Sequence, residues 1–299
     1  MGRRLIRDPA IESIHDIHAA LARAAGAAGG DLAVAAAAAL AGGRAAMAYY
    51  GRDDLVVEDP TGRGPVTAAD RASQAAILEV LTRERKGERV LSEEAPPPPG
   101  AAEARLWVVD PLDGTREFID RIGEFSVMVG LAVDGEARVG AVYQPATRRL
   151  FAGAVGGGAW VVEETGNRAR LAPLAVGDGQ RPLRFVRSRS HPDERIARLE
   201  AALGEVEVIL SGSAGSKCAL IAAGAADLYV HPVPYLKEWD TCAPEAMLRA
   251  AGGRVTDCEG EPLRYGKHHP AQPGGIFAAQ PAVWDYALPI VREIANGTA

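Results

Sequence analysis

Two aspartates three residues apart, Asp110 and Asp113, are where chemistry is first suggested in this chain. They lie within residues 107–116, WVVDPLDGTR. Trp107, Val108 and Val109 read as a short buried strand that ends at Asp110, because Pro111 lacks a backbone donor and Gly114 permits a sharp turn. The turn then holds the Asp110 and Asp113 carboxylates, the Leu112 carbonyl and the Thr115 hydroxyl at the mouth of a strand. Hard oxygen atoms packed this closely repel one another unless a cation sits between them. A calcium-binding EF-hand loop is excluded, since its third and fifth ligand positions fall on Leu112 and Gly114. The plain alternative is an acidic turn with a helix cap, so the partners supplied by the rest of the chain decide.

Three further acids stand in marked contexts: Asp70 in VTAAD, Glu93 in LSEE and Asp240 in EWDTCAPEAM. Each also has an ordinary role open to it. Asp70 stands at N3 spacing from Thr67 and can complete a capping box. Glu93 can be a surface acid, and Asp240 can be the N-cap of a helix over 243–251. His15, His18, His268 and His269 have no motif around them and read as surface residues. The three cysteines, Cys218, Cys242 and Cys258, are odd in number and form no CxxC. They read as reduced, buried thiols rather than as disulfides or a zinc site.

The elements that must position these groups can be read from spacing. Ile11, Ile14, Ile17 and Leu21 predict a helix over 11–24, and Asp31 can cap a second running to about Tyr50. A third helix is expected from Thr67 to Arg85, followed by a strand at 89–91 and a stiff exposed loop at APPPPG (95–100). From Phe125 to about Val176, alternating apolar residues punctuated by DG, AT and GGG predict antiparallel hairpins. Strands at 184–187, 206–210 and 227–231 then alternate with helices at 193–203 and 215–224. After the helix at 243–251 come one strand and a C-terminal helix near 283–295. Residues 177–183, GDGQRPL, are the expected boundary between an N-terminal α+β domain (1–180) and a C-terminal α/β domain (181–299).

At 299 residues and 47% apolar, the chain has the length and composition of an ordinary globular protein with an ample core. Its net charge of −6 argues against a nucleic-acid polymer as partner. A small anionic substrate stays open, because bound divalent cations reverse the local sign. The start, MGRRLIRD, lacks the apolar run of a signal peptide. LAVAAAAALA (32–41) is too short to span a bilayer, so a soluble cytoplasmic protein with no membrane partner is expected.

Taken together, VTAAD (66–70), LSEE (91–94), WVVDPLDGT (107–115) and EWDTCAPEAMLRAAGG (238–253) resemble the inositol monophosphatase superfamily of magnesium-dependent, lithium-sensitive phosphatases. The pieces follow the family's order and cover residues from about 55 to 280. GTREF (114–118), WDTCAPE, RSRSH (187–191) and Lys217 are more similar to its 3′(2′),5′-bisphosphate nucleotidase branch than to inositol monophosphatases.

The resemblance implies an αβαβα sandwich and a site between the two domains. It implies two or three Mg²⁺ held by Glu93, Asp110, Asp113, Asp240 and the Leu112 carbonyl, with Asp70 and Thr115 activating water. It further implies substrate contacts from Gly114, Thr115, His191, Ser213, Lys217 and Asp240, with the histidine stacked on adenine and the lysine on a phosphate. Ser213 stands where the branch usually has a contacting glycine. The activity implied is removal of the 3′-phosphate of 3′-phosphoadenosine 5′-phosphate, the alternative being an inositol or sugar phosphate monoesterase, and a homodimer is the family's usual state. A protein that only binds a phosphorylated nucleotide would have no need of the water-activating pair.

Overall fold

The computed structural model describes residues 6–7, 21, 26–58, 65–96, 104–163, 167–171 and 182–297. The expected helix over 11–24 falls outside them except for Leu21, as do most of the proline loop and of the expected domain boundary. The strands are β1 (Ile6–Arg7), β2 (Val57–Glu58), β3 (Val66–Thr67), β4 (Arg89–Ser92), β5 (Arg105–Asp113), β6 (Ser126–Val133), β7 (Glu136–Gln144), β8 (Arg149–Ala154), β9 (Gly158–Glu163), β10 (Asn167–Leu171), β11 (Leu183–Ser188), β12 (Val206–Ser211), β13 (Leu228–His231), β14 (Arg254–Thr256) and β15 (Ile276–Ala279). The helices are α1 (Gly29–Met47), α2 (Ala68–Glu84), α3 (Thr115–Ile119), α4 (Glu194–Leu203), α5 (Ala214–Ala222), α6 (Glu238–Ala250) and α7 (Pro281–Ala295).

Eight strands form one sheet in the order β1-β10-β9-β8-β7-β6-β5-β4, and five form another in the order β12-β11-β13-β15-β14. The period-2 alternation of β5 sorts its side chains between two cores. Trp107 and Val109 join α1 and α2 on one face. Leu106 and Val108 join α5 and α6 on the other, in a core that also takes in Val186 and Tyr229 of the second sheet. Phe185, Leu228 and Phe277 of that sheet turn their own outer face toward α4 and α7. The layers therefore run helix, sheet, helix, sheet, helix: the αβαβα sandwich.

The middle helix layer is bedded unusually deep. Gly130 of β6 pairs with Gly140 of β7, which pairs with Gly153 of β8, so three glycines make a trough across the large sheet. Helix α6 lies in it. A Cβ on Gly140 would come 2.0 Å from the Ala243 carbonyl oxygen, and one on Gly130 would come 2.7 Å from the Cys242 sulfur. Only glycine allows backbone to approach backbone this closely.

Several expectations need correction. Asp31 does not cap α1, whose N-cap is Ala28; its carboxylate is paired with Arg85 and Arg105. Strand β5 does not end at Asp110 but resumes at Asp113 after a shift in register. Helix α6 begins at Glu238, five residues before the expected start, so Asp240 is N3 and Lys237 is the N-cap. Two strands, β14 and β15, stand where one was expected. The three cysteines are free and buried, as predicted. No helix among the described residues is long and apolar enough to cross a membrane.

Candidate active site

The two central aspartates owe their shared direction to a bulge. Residues 110 and 113 are an odd number apart, so in a regular strand they would face opposite sides of the sheet. In β5, Asp110 pairs with Met128 and Asp113 with Ser126, leaving Pro111 and Leu112 opposite Val127 alone. Two residues against one is a β-bulge, and such a bulge re-aims the side chain that follows. Ser73 of α2 donates to the Pro111 carbonyl at 2.7 Å and pins the bulge in place. Gly114 then turns the chain at φ 93° into α3, where a Cβ would lie 3.1 Å from the Glu124 carbonyl oxygen.

One oxygen of each acid is anchored by a local donor. The Leu112 amide donates to Asp110 Oδ1 at 3.0 Å. The Gly215 amide donates to Asp113 Oδ2 at 3.0 Å, and the Ser213 hydroxyl to the same atom at 2.5 Å. The Lys237 amide donates to Asp240 Oδ2 at 2.6 Å. Asp70 Oδ2 accepts from the Thr67 amide and hydroxyl at 2.8 and 2.7 Å, completing the predicted capping box. Asp70, Asp113 and Asp240 thus each sit at a helix N-terminus, where backbone amides and the helix dipole favour a carboxylate.

Asp110, Asp113 and Asp240 come together: one potential ligand atom from each lies within 4.8 Å of the others. Burial raises all three above the ordinary carboxylate range, and neighbouring negative charge adds to it. Asp240 is pushed up to about 7 by burial and then by Asp113. Asp110 is raised well above its ordinary value by burial, then by Glu93 and Asp113. Asp113 is raised less far, because the Lys217 ammonium offsets part of the effect.

Glu93 lies outside that triad but inside its field. Surface area makes it an exposed residue, yet protein surrounds its carboxylate closely enough that burial, then Asp240, raises it well above the usual range. A rim position, open to solvent on one side, satisfies both observations. Thr115 Oγ1 lies 3.3 Å from Asp70 Oδ1 and 3.1 Å from the Leu112 carbonyl oxygen, so the predicted pair is in contact.

The residues expected to contact substrate are placed as follows. His191 lies two residues before Asp193, the N-cap of α4. It is exposed, and its Nδ1 lies 3.3 Å from Ser188 Oγ. Partial burial, then Arg116 and Lys217, holds it below the ordinary histidine range, which favours the neutral imidazole. Ser213 is the N-cap of α5 and is buried against Asp113 and Ser126. Lys217 is only 2% exposed; its Nζ donates to the Gly212 carbonyl at 2.6 Å and lies over the Tyr229 ring.

Sequence reasoning missed Lys237 as the residue whose amide anchors Asp240, and missed Glu117 as a buried acid joined to Ser190. The first follows from the misplaced start of α6. The second was present in GTREF, but a single buried glutamate has no periodic signal.

An αβαβα sandwich with a cage of carboxylate oxygens where its layers meet is the architecture of the sugar-phosphatase class. Residues 31–294 match the inositol monophosphatase family, and this chain belongs to it. The 3′(2′),5′-bisphosphate nucleotidase CysQ of Escherichia coli K12 is 39% identical over 227 residues, 75% of this chain and 89% of its own. The inositol-1-monophosphatase of Rhizobium meliloti is 35% identical over 213 residues, 68% of this chain and 78% of its own. Among solved structures, CysQ from Bacteroides thetaiotaomicron superposes with a TM-score of 0.69 at 34% identity, covering 84% of this chain and 97% of that one.

Proposed function

We propose that this chain is a Mg²⁺-dependent phosphomonoesterase that removes the 3′-phosphate of 3′-phosphoadenosine 5′-phosphate, giving AMP and phosphate. The observation that carries the substrate is a half-shielded imidazole, His191, held in its neutral range beside the acidic centre. An adenine has a face to lay on it, and stacking on an aromatic side chain is worth about 1–3 kcal/mol per base. Inositol phosphate has no such face. The similarity to the CysQ nucleotidases supports the same reading.

The donor set fits a hard divalent cation. It is all oxygen, with neither histidine nor cysteine within the triad, and each carboxylate is already held by one oxygen. Asp110, Asp113, Asp240, Glu93 and the Leu112 carbonyl would hold two or three Mg²⁺ ions. Bound there, they neutralise the phosphoryl oxygens and make water a stronger acid.

The chain's own residues do the rest. Asp70 Oδ1, raised by burial and fixed through its other oxygen, accepts the proton that Thr115 Oγ1 relays from the attacking water. Gly114 lets the chain turn, so that Thr115 faces Asp70 rather than solvent. Ser213 and the α5 N-terminus keep Asp113 aimed inward, and Lys217 lends the phosphate region buried positive charge. Asp70, Glu93, Asp110 and Asp113 come from the first part of the chain (1–180) and His191, Lys217 and Asp240 from the second (181–299), so both parts supply the site.

The test is phosphate release by purified protein with Mg²⁺. The bisphosphate nucleotide should be preferred to inositol 1-phosphate, and His191→Ala should lower its kcat/KM by roughly 10- to 100-fold, as the stacking energy requires. Preference for inositol 1-phosphate, or an equal effect of His191→Ala on both substrates, would move the assignment to an inositol or sugar monophosphatase.

A further inference from the structure

Helix α3 carries a positive charge that the chemistry above leaves unused. Arg116 directly follows Thr115, is exposed, and has no carboxylate partner among the described residues. Arginines close in sequence to Arg116 or to His191 are engaged: Arg189 with Glu124, Arg187 with Glu200, Arg121 with Asp53 and Arg195 with Asp193. An arginine left facing solvent at the mouth of an acidic site is an anion contact waiting to be made.

Its neighbour explains where it faces. Glu117 is buried, at 3% exposure, and accepts a hydrogen bond from the Ser190 hydroxyl. A Cβ on Gly212 would run into the same carboxylate, so α3, the loop after β11 and the loop after β12 all meet at Glu117. The Glu117–Ser190 bond joins the two segments that carry Arg116 and His191, each one residue from a bonded partner. The electrostatics agree: after burial, Arg116 is the largest influence keeping the His191 imidazole low, ahead of Lys217.

Lys217 is poorly placed for direct contact with a second phosphate. Its ammonium is turned inward onto the Gly212 and Ser211 carbonyls, at 2.6 and 3.4 Å. A guanidinium on the surface presents a planar fork of donors that matches phosphate oxygens in pairs.

We propose that Arg116 binds the second, non-scissile phosphate of a nucleotide whose base lies on His191, and so sets a preference for doubly over singly phosphorylated nucleotides. The inference rests on the nucleotidase reading. Lys217 then acts through its field from beneath, and Glu117 is a positioning residue that keeps the two recognition groups together.

The experiment measures kcat/KM with Mg²⁺ for 3′-phosphoadenosine 5′-phosphate, adenosine 3′-monophosphate and inositol 1-phosphate. Wild-type protein should prefer the doubly phosphorylated nucleotide to the singly phosphorylated one. Arg116→Ala should lower that ratio roughly 10- to 100-fold, the worth of a hydrogen-bonded charge contact, and should do so mainly through KM. Arg116→Lys should keep part of the preference, and added salt should erode the wild-type preference more than that of Arg116→Ala. If the alanine variant folds poorly, Arg116→Gln gives the same comparison. An unchanged ratio in the variant, with wild-type protein still hydrolysing the bisphosphate, overturns the role of Arg116 and leaves the nucleotidase reading standing. A wild-type preference for inositol 1-phosphate over both nucleotides overturns both.

Discussion

Replacing Asp240 by asparagine should stabilise the cation-free protein at alkaline pH. The folded protein holds the Asp240 proton up to about 7, whereas the ordinary value is 3.8. The folded state therefore binds this proton more tightly than the unfolded state, and stability is lost as the pH rises from about 4 to about 7. Each pH unit in that window costs about 1.4 kcal/mol, so the two units between pH 5 and pH 7 cost about 3 kcal/mol. Neighbouring acids relieve part of the strain by taking up protons themselves, and about half of the figure is a fair share for one residue. Asparagine carries no charge, and its side-chain oxygen can still accept from the Lys237 amide. At roughly 2 °C per kcal/mol for a chain of this length, the variant's Tm advantage in chelator should grow by about 3 °C from pH 5 to pH 8. Mg²⁺ should then raise the wild-type Tm at pH 8 and raise that of the variant far less. Differential scanning fluorimetry at the two pH values, with and without Mg²⁺, reads all four numbers. A variant less stable than wild type in chelator at pH 8, or one whose advantage does not change with pH, would refute the account of the acidic cluster.

Chelator should abolish phosphate release and Mg²⁺ should restore it; Asp113→Asn should lose at least ~100-fold in turnover, about 3 kcal/mol of transition-state stabilisation. Near-normal turnover in chelator would end the metal assignment. Asp70→Asn keeps an oxygen for Thr67 and turns an amide group toward Thr115, whose hydroxyl can accept from it while donating to the Leu112 carbonyl, so the contacts survive but the proton acceptor is lost. Its Tm should barely move while turnover falls roughly 10²–10⁴-fold, the usual worth of a general base, and an active variant would reduce Asp70 to a helix cap. Gly140→Ala must push Ala243 of α6 away and should destabilise the fold by about 3 kcal/mol, measured by urea denaturation. A Gly140→Ala protein as stable as wild type would mean that α6 is not wedged against the sheet.

Much of the site was legible because its parts are short and local. Thr67 and Asp70 fit a capping box, and the structure forms that box while still turning the other Asp70 oxygen to Thr115. Spacing alone did not reveal how Asp110 and Asp113 come to face the same way, because a bulge has no pattern of its own in a single sequence. The start of α6 was misplaced for a physical reason. Pro244 is best suited to the first turn of a helix, which suggests a start at residue 243. The helix instead runs through it from Glu238, and Pro244 withholds the amide that would meet the Asp240 carbonyl. Burial of α6 in the glycine trough outweighs that missing bond. Lys217 was expected on a phosphate, and nothing nearby in the chain foretells the Tyr229 ring over which its ammonium lies instead.

The glycine trough also bears on how this site fails. Most helix-to-sheet contacts are cushioned by side chains, which can change rotamer and absorb a small displacement. Here backbone rests on backbone at Gly140 and Ala243, three residues from Asp240, and no rotamer exists to take up the slack. The carboxylate is therefore located the way a dowel locates a machined part, by contact between rigid surfaces. Heating should not loosen it gradually. Cation affinity should hold nearly level until the sheet itself gives way, and then vanish in the same transition.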